Sequence, residues 1–139
     1  MHETAYYLDY VPAYLAYMGV AVGMLIAAVG IYVVITPYRE IALIRAGNAT
    51  AACSLGGTVV GLAITLSSAV RYAVSIPDVV LWGATALVFQ LLGFLLVRMV
   101  LPDLRQRIEQ NMLSHGLLLG LTSIAIGILN AACLTPPPV

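Results

Sequence analysis

Residues Met112–Leu134 read MLSHGLLLGLTSIAIGILNAACL, a stretch without an acid, an arginine or a lysine. About 20 predominantly apolar residues, wound as an α-helix, cross the hydrocarbon core of a bilayer. This stretch therefore reads as a transmembrane helix. Three runs of the same kind precede it: Tyr14–Thr36, Ala49–Val70 and Val79–Val97. Charged residues stand almost only between the runs. The pattern predicts an all-α membrane protein of four transmembrane helices, at about 14–36, 49–70, 79–97 and 112–134, in one membrane domain.

Composition points the same way. Hydrophobic residues make up 62% of the chain and charged ones 9%, against about 25% charged in an ordinary soluble domain. Net charge is zero and lysine is absent, so a nucleic-acid partner has no electrostatic support. The lipid bilayer is the expected surrounding. The opening Met-His-Glu-Thr carries no arginine, Asp9 follows, and the first arginine is Arg39. A cleavable signal needs a basic segment ahead of its apolar stretch, so the first run reads as a permanent helix.

Arginine placement predicts the orientation. Arg39 and Arg45 lie between runs one and two, and Arg98, Arg105 and Arg107 lie at or between runs three and four. Arg71 alone lies between runs two and three. Positive charge collects on the cytoplasmic side, which places both termini in the periplasm of a bacterial inner membrane. Tyr6, Tyr7, Tyr10, Tyr14, Tyr17, Tyr72 and Trp82 then fall at the outer boundary and Tyr38 at the inner one, as the headgroup preference of amphipathic rings requires. Cys53 and Cys133 fall at opposite ends of their helices. About 30 Å of bilayer core separates those levels, against the 7 Å limit between the α-carbons of a disulfide, so both read as free.

The chain also reads as one two-helix unit written twice, about 10–72 and 77–135. A shift of 63 positions aligns Gly30 with Gly93, Asn48 with Asn111, Leu55 with Leu118, Gly57 with Gly120, Leu66 with Leu129 and Ala69 with Ala132. Each unit runs apolar helix, proline (Pro37, Pro102), short arginine-containing segment, asparagine, glycine-bearing apolar helix. Two spans per unit make this a parallel repeat, related by an axis along the membrane normal. Each proline should end or kink its helix, and a short interfacial turn of helix should follow, with apolar residues in the lipid and arginines among headgroups. Arg105 and Glu109 are spaced for an i,i+4 pair.

The motifs Ile35–Pro37 (Ile-Thr-Pro), Asn48–Ala52 (Asn-Ala-Thr-Ala-Ala), Leu66–Ala69 (Leu-Ser-Ser-Ala), Val74–Asp78 (Val-Ser-Ile-Pro-Asp) and Asn130–Cys133 (Asn-Ala-Ala-Cys) stand in an order that resembles the YjfL-like inner-membrane proteins, domain-of-unknown-function family 350. The resemblance covers nearly the whole chain. It implies a bacterial inner-membrane protein built from paired two-helix repeats, and it brings no established activity. The gene neighbours of some relatives imply an envelope-stress or amine-modification setting. The tail Pro136–Pro138 is specific to this chain and receives no role.

Polar residues within the runs offer two readings. Gly116, Gly120, Ser123, Gly127 and Asn130 share one face of the last helix, and Gly57, Gly61, Thr65 and Ser68 line the second. Small residues at that spacing let helix backbones approach closely, with interhelical hydrogen bonds of about 0.6–2 kcal/mol. The stripe Gly57, Gly61, Gly116, Gly120, Ser123 and Gly127 fits this packing role. In the other reading Ser67, Ser68, Asn130, Gln90 and Thr65 line a polar path or solute site, where hydroxyls and amides replace a solute's hydration. Arg71 and Asp78 bracket the outer loop and are spaced to pair across it, a contact of small energy. Arg98 is expected to snorkel, and His115 stands one turn inside the last helix without the partners a metal or haem needs.

No acid lies in a span, and no Gly-x-Ser-x-Gly, His-Glu-x-x-His or phosphate loop is present. No catalytic, cofactor or metal residue is assigned, and a non-enzyme is expected. The leading expectation is a structural or partner-binding envelope component forming a homo-oligomer. The alternatives are an oligomeric channel or carrier through the Ser/Asn face, and a lipid-handling protein.

Overall fold

The computed structural model describes residues 2–134, with side chains from Tyr7 onward. The proline tail and the Tyr6 side chain lie outside the described residues. Six helices follow in order: α1 His2–Ile35, α2 Glu40–Arg45, α3 Ala49–Tyr72, α4 Ile76–Val100, α5 Leu104–Glu109 and α6 Leu113–Cys133. Four of them are long and apolar enough to cross a membrane: Tyr7–Ile35 of α1, and all of α3, α4 and α6.

The helix ends follow local chemistry. α1 begins well before Tyr14, because Pro12 is accommodated within it, as prolines in apolar helices often are. It stops where Pro37 forces Thr36 out of helical geometry. Asn48 caps α3, its Oδ1 accepting from Ala51 N–H at 2.8 Å, which satisfies one of the orphan donors of the first turn. α4 starts a turn earlier than the apolar run, with Pro77 in its first turn, where the missing N–H costs nothing. Left-handed residues Gly47 (φ 86°) and Asn111 (φ 58°) turn the chain from α2 into α3 and from α5 into α6. Glycine and asparagine tolerate that conformation best.

α3 is the centre of the bundle. More than half of its apolar span, 56%, is buried, against 11% for α1. Contacts between α3 and α6 advance in the same direction along both helices, from Thr50 against Gly116 to Gly61 against Gly127, so the two run parallel. α1 pairs with α4 in the same sense, Met24 against Gly83 and Tyr32 against Phe94. At one end, Tyr32, Tyr38, Leu55, Phe94, Leu104 and Ile108 form the main apolar core.

Two details differ from the sequence reading. The short helices do form after each proline, but Leu104 and Ile108 are buried against the bundle, because α5 packs on α6 and α3. Arg71 and Asp78 do not pair. Asp78 Oδ2 accepts from Val74 N–H at 3.2 Å instead, closing its own turn. The Arg105–Glu109 pair forms at 3.0 Å and is exposed.

Candidate functional site

Polar side chains in the bundle fall into three levels. At the level of α2 and α5, Asn48 Nδ2 donates to Ile108 O at 2.8 Å. In return, Thr50 donates from both its backbone N–H and its hydroxyl to Asn111 Oδ1, each at 3.0 Å. The two asparagines thus lock the two halves of the chain together. In mid-bundle, Thr58 and Ser123 hydroxyls meet at 3.2 Å, and Gln90 Nε2 donates to Ser123 O at 2.9 Å. At the far level, Thr65 donates to Gly127 O at 3.1 Å and Ser68 to Ala131 O at 2.9 Å.

The glycine stripe lies along this seam. A Cβ on Gly57 would fall onto the backbone of Gly120, one on Gly61 onto Ser123 and the Gln90 amide, one on Gly116 onto Thr50, and one on Gly127 onto Gly61. Backbones this close leave no water between them, so each hydroxyl finds a carbonyl or a second hydroxyl across the seam.

The residues read as a polar path do not converge on one point. Thr65, Ser68 and Gln90 each donate across to α6. Ser67 bonds only Ile64 O within its own helix, at 2.7 Å. It lines an apolar groove of about 360 Å³ between α1 and α3, with Tyr14, Met18, Leu25, Leu66 and Val70. Asn130 is half-buried on α6. Of the interfacial residues, Arg39, Arg45, Arg71, Arg98 and Arg105 are exposed, whereas Arg107 and Asp78 are half-buried. Arg107 Nη1 approaches Met112 Sδ at 3.3 Å. His115 Nδ1 shares a hydrogen with Ser114 at 3.1 Å. Cys53 and Cys133 are free thiols.

One group escaped the sequence reading. Glu40, the first residue of α2, is fully buried, and neither carboxylate oxygen has a hydrogen-bond partner. Burial pushes its carboxyl up to about 7, against the opposing influence of the Tyr38 and Thr36 hydroxyls. Those hydroxyls are engaged elsewhere: Thr36 Oγ1 donates to Val33 O at 3.1 Å and Tyr38 Oη meets Ser54 Oγ at 3.4 Å. Burial, reinforced by the Glu40 charge, also holds the Tyr38 phenol well above its ordinary value. Tyr32 Oη beside them is buried without a partner. The available signal was Thr36-Pro37-Tyr38, two hydroxyls directly after a span at a proline that ends the helix.

The chain matches the model of the family "Domain of Unknown Function (DUF350)" over residues 6–134. It is 44% identical over 128 residues to the "UPF0719 inner membrane protein YjfL" of Escherichia coli (strain K12), covering 92% of this chain and 97% of that protein. It is 25% identical over 113 residues to the "UPF0719 transmembrane protein YshE" of Bacillus subtilis (strain 168), covering 81% and 83%. No solved structure matches the chain. An all-helical bundle with four candidate spans, matched along nearly its whole length, is an integral inner-membrane protein and a member of the DUF350 family.

Proposed function

We propose that this protein is a structural or partner-binding component of the bacterial envelope, assembled as a homo-oligomer through α1. The observation that carries this reading is the contrast between helices. α3, α4 and α6 spend most of their glycines and buried hydroxyls on one another, Gly56 being open and Gly83 meeting Met24 of α1. α1 keeps Gly19, Gly23 and Gly30 open, with nothing within 4 Å of where a Cβ would stand. Small residues on a lipid-exposed helix favour close approach by another helix.

In the same reading the spans form two parallel repeats with periplasmic termini. Supporting the repeat, Gly57 and Gly120, which the 63-position shift pairs, touch each other, as residues beside a two-fold axis do; the orientation rests on the arginine placement. The short helices α2 and α5 occupy equivalent places after Pro37 and Pro102. Channel or carrier activity through Ser67, Ser68, Asn130, Gln90 and Thr65 has less support, because three of these donors are spent on α6 carbonyls. Lipid handling rests on the amphipathic inner loops, where Arg39, Ile41 and Arg45 are exposed, and on the α1–α3 groove.

Native mass spectrometry of protein released from nanodiscs tests the assembly. A defined oligomer is expected, and Gly19→Leu or Gly23→Leu should weaken association by about tenfold, or 1.4 kcal/mol, without unfolding the subunit. A wild-type protein that is monomeric at every concentration would refute the proposal.

A further inference from the structure

The Glu40 carboxylate is buried at the start of α2, with neither oxygen bonded by a protein group. An ionised carboxylate withdrawn from water and left unpaired is one of the costliest arrangements in a protein, yet here both oxygens are buried and unbonded. The groups around it are few. Tyr32 comes from α1, and Thr36 and Tyr38 come from the segment that follows. Behind them, Ser54 of α3 meets the Tyr38 hydroxyl and Thr58 donates to the Ser54 carbonyl. The two tyrosines pack in the apolar core with Phe94 and Val97 of α4 and Leu104 and Ile108 of α5. Glu40 shares the lining of the groove beside α2 with Arg39 and Arg45; both arginines are exposed, and among the described residues Glu40 has no ion pair.

We propose that Glu40 is a monovalent-cation site, on which a proton, or one alkali ion in its place, neutralises the carboxylate. The charge count selects the class. A divalent ion takes six or more oxygens and usually several carboxylates, whereas one carboxylate with the hydroxyls of Tyr32, Tyr38 and Thr36 balances a single positive charge. The break between α1 and α2 adds to this. The C-terminal carbonyls of α1 carry partial negative charge, at the end of the helix from which the chain passes to Glu40. The polar groups continue inward through Ser54 and Thr58 to Ser123 and Gln90, so the site stands at one end of a buried hydroxyl row.

The test is an infrared titration of the full chain in nanodiscs, from about pH 5 to about pH 9, in choline chloride and in sodium chloride. The signal is the carbonyl stretch of a protonated carboxyl that Glu40→Gln removes. In choline the band should disappear with a midpoint near 7. A midpoint that falls in sodium, by about one unit per tenfold rise in saturating concentration, identifies the alkali ion as an occupant. An unchanged midpoint identifies the proton as the sole one. A Glu40 that stays ionised across the whole range, as pairing with Arg39 or Arg45 would make it, overturns the proposal. Glu40→Gln keeps the shape of the side chain, and its circular dichroism should match the wild type.

Discussion

Asn48 performs two tasks with one amide. Its oxygen caps α3 and its nitrogen holds the last turn of α5. Asn48→Ala should therefore cost more than an ordinary cap, about 2 kcal/mol or above, read as a shift in chemical unfolding in micelles. Asn111→Ala should cost at least as much, since Thr50 loses the acceptor of both its N–H and its hydroxyl and alanine tolerates the left-handed φ of 58° less well than asparagine. Glu40 gives a second residue-scale prediction. Its carboxyl titrates higher in the fold than in the unfolded chain, so the penalty for ionising it is absent below about 4.5 and complete above about 7. Stability should fall as pH rises through that window, by about 3 kcal/mol. Glu40→Gln should flatten the slope. The asparagines were legible as residues that open helices. Glu40 was not, because an acid beside Pro37 and Arg39 reads as a headgroup contact. Its inward turn is set by the backbone between α1 and α2, which composition does not encode.

At the scale of elements, the seam between α3 and α6 is the least forgiving surface. Gly127→Leu or Gly57→Leu would press a side chain into a facing backbone, which has no rotamer with which to yield. A loss of about 3 kcal/mol or more is expected, against little change for Gly23→Leu in the same unfolding assay. The stripe was readable because helical spacing alone places Gly116, Gly120, Ser123 and Gly127 on one face. The use of the outer polar groups was not. Ser67 and Ser68 are neighbours in sequence, yet one turns to its own helix and the other to α6, a difference fixed only by where α6 lies. The ends of α1 and α4 also outran the apolar runs, since Asp9, Pro12, Pro77 and Arg98 interrupt hydropathy without interrupting the helix.

For the whole molecule, hydropathy already contained the four spans, because a bilayer admits few other ways to satisfy the backbone. Their arrangement required contacts between distant segments, such as Thr58 with Ser123 and Asn48 with Ile108. The α3–α6 seam has a consequence for biogenesis. Transmembrane helices insert first and associate afterwards, and chains emerge N-terminal end first. α3 therefore enters the lipid with Ser68 lacking its α6 acceptor and with Thr58 and Thr65 bonded only within their own helix, to Ser54 O and Gly61 O. It must wait for two further helices to be synthesised before α6 arrives to receive them. During that interval the nascent chain is a natural client for any insertion chaperone that shields hydroxyl-bearing helices, and a ribosome stalled before α6 would leave a substrate for membrane proteases.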